Sequence, residues 1–150
     1  MIELGELAAG QELTPLQLPP ISRTTLALFA GASGDHNPIH IDIDAARAAG
    51  EPDVFAHGML SMAYLGTLFT GQLPQSLLRD WSVRFSARTP VHSQVTCRAI
   101  VRDVSGPAGK DRVTLDVTCE LADGTVTLRG IAIFSTDPSA LDATDSEAGP

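Results

Sequence analysis

Apolar and polar residues alternate with a period of two in three successive stretches of the C-terminal half, which predicts β-strands with one face turned to a core. Trp81, Val83, Phe85 and Ala87 interleave with Ser82, Arg84, Ser86 and Arg88; Val95, Cys97, Ala99 and Val101 interleave with Thr96, Arg98, Ile100 and Arg102. Val113, Leu115, Val117, Cys119 and Leu121 then alternate with Thr114, Asp116, Thr118 and Glu120, and Asp123-Gly124 supplies a two-residue hairpin turn into a fourth strand over 125–135. The alternation blurs near Gly130, which predicts a bulge there or burial on both faces. The stretch before these strands reads differently. From Gly58 to Gly71, Met59, Leu60, Met62, Ala63, Tyr64, Leu65, Leu68 and Phe69 cover nearly all sides of a helical wheel, so this helix is expected to be surrounded by protein on most of its circumference. Upstream, 11–18 can start a strand, and Ser22 is placed to cap a helix over 23–32, with Ile21 and Leu26 as its hydrophobic staple. A short helix over 44–49 follows, with Asp44 as cap and Gly50 as stop. The order is α+β: an antiparallel β-sheet wrapped around a central apolar helix.

Length and composition set this pattern in one domain. The chain has 150 residues and 43% hydrophobic content, enough for a sizeable core. Residues 1–136 are expected to form a single domain and 137–150, rich in Ser, Ala and acidic residues, a flexible acidic tail. A net charge of −8 with scattered Lys and Arg argues against a nucleic-acid partner. No basic-then-apolar leader opens the chain, and its longest apolar run falls short of the roughly 20 residues needed to cross a bilayer, so no membrane role and a cytoplasmic location are expected. A hairpin turning near Ala108 would set Cys97 opposite Cys119; the reading preferred is two buried thiols, not a disulfide or half of a zinc site.

Candidate chemistry concentrates in Gly34-Asp35-His36-Asn37-Pro38-Ile39-His40. Pro38 fixes its own φ and biases Asn37 away from helix, so Asp35 and His40 sit on a bent segment where a carboxylate and an imidazole can converge on one small molecule. Such a pair suits general acid-base work. Asn37 either orients the turn or is simply a turn residue, and His36 is expected to be exposed. The four histidines show no ligand spacing along the chain, so no metal is expected.

The Gly-Asp-x-Asn-Pro-x-His signature, with Ala56-His57-Gly58-Met59, Val83-Arg84-Phe85 and Pro90-Val91 at the expected distances, resembles the MaoC-like, (R)-specific enoyl-CoA hydratase (hydratase 2) family, from about Ser22 to about Phe134. The resemblance implies the hot-dog fold, in which a sheet curls around one helix. It also implies reversible syn hydration of a trans-2-enoyl thioester, on CoA or an acyl-carrier protein, to the (R)-3-hydroxyacyl thioester. Asp35 and His40 would be the catalytic pair activating water. The Gly58 N–H, at the positive end of the central helix, would hold the thioester carbonyl. His57 and Ser61 would support the site. No cofactor is implied, CoA being part of the substrate, and Arg79, Arg84, Arg88 or Lys110 would meet its phosphates unless they are ordinary solvated charges. A homodimer, or a heterodimer with a sister subunit, follows from the same resemblance. A hot-dog thioesterase and an accessory subunit of a heterodimeric dehydratase are the rival readings. One departure stands out: His92-Ser93 follows Pro90-Val91 where family members often carry a glycine and an acidic residue.

Overall fold

The computed structural model describes residues 1–106 and 111–136. The expected turn near Ala108, Lys110 and the 137–150 tail lie outside these residues. Five strands form one antiparallel sheet in the order β1-β3-β4-β5-β2, from β1 (Leu16–Gln17), β2 (Leu78–Phe85), β3 (Val95–Ser105), β4 (Arg112–Leu121) and β5 (Val126–Ser135). Three helices accompany it: α1 (Arg23–Ser33), α2 (Ile43–Ala48) and α3 (Gly58–Gln72). The period-two reading holds best in β3 and β4. Val95, Cys97, Ala99, Val101, Val113, Leu115, Val117 and Cys119 are all buried against α3, while their polar neighbours face outward. Arg98 pairs there with Glu12 at 2.6 Å and Arg102 with Asp116. Register shifts at Leu78/Asp80, Val101/Asp103 and Cys119/Glu120 break the regular ladders, as β-bulges do where strands bend.

Cys97 and Cys119 are register partners with sulfurs 3.5 Å apart, both free and fully buried. Their shared hydrogen bond and their burial hold the Cys119 thiol far above the usual cysteine range, so it behaves as a small hydrophobe.

Several expectations need correction. Within 11–18 the regular ladder is confined to Leu16–Gln17 plus a bridge from Glu12 to Ile100, because Pro15 has no N–H to donate, although the Leu13 N–H still bonds the Ala99 carbonyl and the Leu18 N–H the Val95 carbonyl along β3. Asp42, not Asp44, caps α2: its carboxylate accepts from the Asp44 N–H at 2.8 Å. Of the two readings at Gly130, burial on both faces holds and the bulge does not, since Gly130 sits in regular register between Val83 and Val117. A Cβ at Gly130 would collide with the Ser82 carbonyl, and the blurred pattern reflects burial of Ala132, Ile133, Phe134 and Ser135 on both faces. Ala87 falls beyond the end of β2, and Phe85, expected in the core phase, is 50% exposed. Helix α3 is covered on most of its circumference, as expected, and Met59, Ala63, Thr67 and Thr70 form its exposed stripe.

The elements that carry the chain to the site follow local chemistry. The Ser22 hydroxyl accepts from the Thr25 N–H at 3.0 Å, with Ile21 and Leu26 buried as the staple. Helix α1 stops where Gly34 adopts a φ of 74°, a left-handed conformation glycine takes without strain, and the chain reverses into the Asp35 turn.

Candidate active site

The Asp35 turn is stapled by its own side chains. The Asp35 carboxylate accepts from the Asn37 N–H at 3.2 Å, and the Asn37 side-chain oxygen accepts from the Ile39 N–H at 3.3 Å, capping a single 3₁₀ turn over Pro38–His40. Asn37 therefore shapes the turn. His36 is exposed, as expected. The turn buries His40, whose Nδ1 lies 2.7 Å from the carbonyl oxygen of Phe55. A carbonyl only accepts, so Nδ1 carries the proton and a neutral His40 presents its lone pair on Nε2.

The second histidine comes from the start of α3. His57 is 1% exposed, its ring packed 4.0 Å from that of His40 and 5.1 Å from Phe29. Its Nε2 donates to the main-chain carbonyl of Asp35 at 3.1 Å, and its Nδ1 has no hydrogen-bond partner. Burial lowers the His57 pKa and the positive form of His40 would lower it further, while the Asp35 carbonyl and carboxylate oppose them. The ring is thus neutral at neutral pH. The Asp35 carboxylate, a His40 nitrogen and a His57 nitrogen all lie within 4.8 Å of one another. Spacing along the chain concealed this cluster, because 22 residues separate Asp35 from His57 and the fold closes the gap.

Beside the cluster lies a cavity of about 540 Å³, bounded among others by Asp35, Gly58, Met59, Ser61, Phe85 and Thr127. Gly58 opens α3, so its N–H is one of the amides that a helix start leaves without an internal partner. The Phe85 ring packs where a Gly58 side chain would stand: a Cβ on Gly58 would meet Phe85 Cε1 at 2.9 Å. Ser61, one turn on, is buried with no partner for its hydroxyl. Thus Asp35, Gly58 and Ser61 share the cavity, and His40 and His57 stand behind Asp35.

Of the candidate phosphate-binding arginines, Arg88 reaches the cavity wall, where it pairs with Glu51 at 3.1 Å and lies 5.5 Å over the Phe55 ring. Arg84 is exposed on β2 and Arg79 bonds the Ser76 carbonyl. Sequence reasoning missed Phe55, Phe85 and Thr127. Thr127 left a trace, as a polar residue at a buried position beside Leu128 that breaks the alternation of β5.

Residues 6–123 match the family model described as MaoC like domain. The chain belongs to the MaoC-like family. It is 32% identical to the (R)-specific enoyl-CoA hydratase of Rhodospirillum rubrum over 114 residues, covering 75% of this chain and 77% of that protein. It is 31% identical over 132 residues to 3-hydroxyacyl-thioester dehydratase X of Mycobacterium tuberculosis, a longer protein of which the match spans 45% and which takes up 85% of this chain. Among solved structures, the (R)-hydratase from A. caviae involved in PHA biosynthesis superposes with a TM-score of 0.78 at 25% identity, covering 88% of this chain and 98% of that one. The architecture is the hot-dog fold of these MaoC-like proteins. Among the described residues, no helix is long and apolar enough to cross a membrane.

Proposed function

We propose that this protein is a hydro-lyase that reversibly adds water to a trans-2-enoyl thioester to give the (R)-3-hydroxyacyl thioester. The observation that carries this reading is the meeting of the Asp35 carboxylate and the open helix end at Gly58 around one cavity, with a His40 nitrogen within 4.8 Å of that carboxylate. The thioester carbonyl accepts from the Gly58 N–H, so the enolate oxygen that develops faces a preorganised donor and the positive end of α3. One water, held between Asp35 and His40, supplies both added groups. Its oxygen bonds to C3, its proton passes to the dyad, the C2–C3 π electrons move toward the carbonyl, and the proton returns to C2 on the same face. Fixing the His40 proton on Nδ1 leaves Nε2 as an acceptor. Asn37 and His57 hold the turn and the ring in place, and the Ser61 hydroxyl bonds the acyl thioester, a partner the protein itself does not give it. No cofactor takes part. CoA or a carrier protein bears the acyl group, with Arg88 nearest to receive its phosphates. The unpaired edge of β2, beside the exposed Phe85, is where a second copy or a sister chain would extend the sheet.

The test is an ultraviolet assay of crotonyl-CoA and a longer enoyl-CoA, with chiral analysis of the product and a thiol reagent to detect released CoA. Asp35→Asn and His40→Gln are each expected to lower turnover by about 10²- to 10⁴-fold with little change in fold. Full activity in both variants, or release of CoA in place of water addition, overturns the reading.

A further inference from the structure

We propose that Asp35, His40 and His57 form a binding site for a divalent transition-metal ion of the zinc class, and that occupation of this site shuts the cavity to chemistry. Ion binding at the residues of the proposed dyad does not depend on the reaction assigned to them, whereas its inhibitory effect rests on that reading.

Three observations support it. Two imidazoles and a carboxylate, each offering one donor atom, lie within 4.8 Å of one another, and such a set of nitrogen and oxygen donors suits zinc and its neighbours. Each ring also has one nitrogen already occupied by a main-chain carbonyl, His40 Nδ1 by Phe55 and His57 Nε2 by Asp35. That outer contact is the one metal-ligating histidines commonly make, because it fixes the tautomer and the ring plane and directs the remaining lone pair. Finally, the remaining nitrogen of His57 is buried, has no partner in the protein, and belongs to a residue that is 1% exposed. A buried polar atom left without a bond costs free energy, and the cation is assigned to this nitrogen.

The fit demands a modest closure. Ligands held at roughly 2.0–2.2 Å around a tetrahedral ion stand roughly 3.3 Å apart, so the donors must draw together by up to about 1.5 Å. The exposed Asp35 side chain can supply most of that movement, since only the Asn37 N–H restrains its carboxylate. A cation there would use the Asp35 oxygen and histidine lone pair that the proposed hydration needs for water. Metal and substrate water are therefore mutually exclusive, and the ion acts as an inhibitor.

The experiment is calorimetric titration of the whole chain with Zn²⁺, and with Co²⁺ read by its visible absorption, both without substrate. One Zn²⁺ per chain is expected, with affinity lowered at least tenfold in Asp35→Asn and in His40→Gln and retained in a Cys97→Ser/Cys119→Ser variant and in His36→Gln. Asp35 is exposed, so its substitution leaves folding intact, and circular dichroism checks the others. Binding unchanged by both site substitutions, binding lost with the thiols or with His36, or no binding at all overturns the proposal. Because heat and absorption report the ion directly, a chain that binds Zn²⁺ but does not hydrate enoyl-CoA would refute the proposed function and leave the metal site standing.

Discussion

The two ends of α3 are built on opposite principles. At its C-terminal end Leu65, Leu68 and Phe69 are buried, as is Leu73 just beyond, and Phe69 stacks edge-on against Trp81 at 5.2 Å and Phe134 at 5.8 Å. The one polar atom left over there is the Trp81 indole nitrogen. At the N-terminal end the packing is interrupted: His57 Nδ1 and the Ser61 hydroxyl are buried without partners, and Gly58 contributes no side chain. Apolar contact is cheap to satisfy in a core and contributes stability, whereas unsatisfied polar groups cost stability and are retained where something else will bond to them. One end of the helix anchors it; the other, on the function proposed above, is kept open for a ligand.

The largest expected effect on stability belongs to the anchoring end. Phe69→Ala removes a ring that touches two other aromatic residues, and such deletions cost about 3–5 kcal/mol once the residual cavity is included. Chemical denaturation should show this loss, while turnover per folded molecule stays close to wild type. A matching loss of turnover would mean that the two ends are not separable.

Next comes Gly58→Ala, which breaks the other half of the contrast. Its new methyl group displaces the half-exposed Phe85 ring and occupies the approach to the amide, so kcat/KM is expected to fall about 10²-fold, in line with loss of one oxyanion donor. Alanine is the better helix former, so the melting temperature should hold or rise. Activity unchanged beside a displaced Phe85 would remove the Gly58 amide from the mechanism.

Ser61→Ala is the sharper test of why a buried hydroxyl is tolerated. Removing a polar group that has no partner is neutral or stabilising by up to about 1 kcal/mol. If the hydroxyl bonds the acyl thioester, KM should rise at the same time. Stability gained with kinetics unchanged would make Ser61 a relic of packing.

This division of labour also explains what could be read along the chain. The anchoring end was legible because β3, β4 and most of α3 declare themselves through period and apolarity, as with Val113, Leu115, Val117 and Cys119, which are all buried. Asp35 and His40 stood out because turn chemistry has a local signature, and Gly58 because its motif resembles that of the family. What escaped was set by tertiary contact. The Phe55 carbonyl that fixes the His40 tautomer and the Thr127 side chain in the cavity wall carry no local signal, nor does the pairing of His57 with Asp35. Asp44 looked like a cap because Asp42, two residues earlier, offers the same side chain, and only the hydrogen bonds tell them apart. The exposed stripe of α3 and the exposed Phe85 depart from an apolar pattern that cannot say which apolar residues the chain itself covers.

The smallest effect concerns a turn that abuts the open end without entering it. The Val91 N–H donates to the Val54 carbonyl and the Ala56 N–H to the Thr89 carbonyl, so the Pro90–Ser93 turn braces the segment leading into His57. Within that turn His92 has a φ of 69°, the one non-glycine residue with positive φ among those described, and its side chain is exposed. A left-handed conformation costs a side-chain-bearing residue about 1–2 kcal/mol, while glycine loses about 0.5–1 kcal/mol through its freer unfolded state. His92→Gly should therefore stabilise the protein by about 0.5 kcal/mol, visible as a small rise in the denaturation midpoint, with kinetics unchanged. A fall in turnover in this variant would show that strain in the turn is transmitted to His57, and that the open end of α3 extends beyond the cavity it borders.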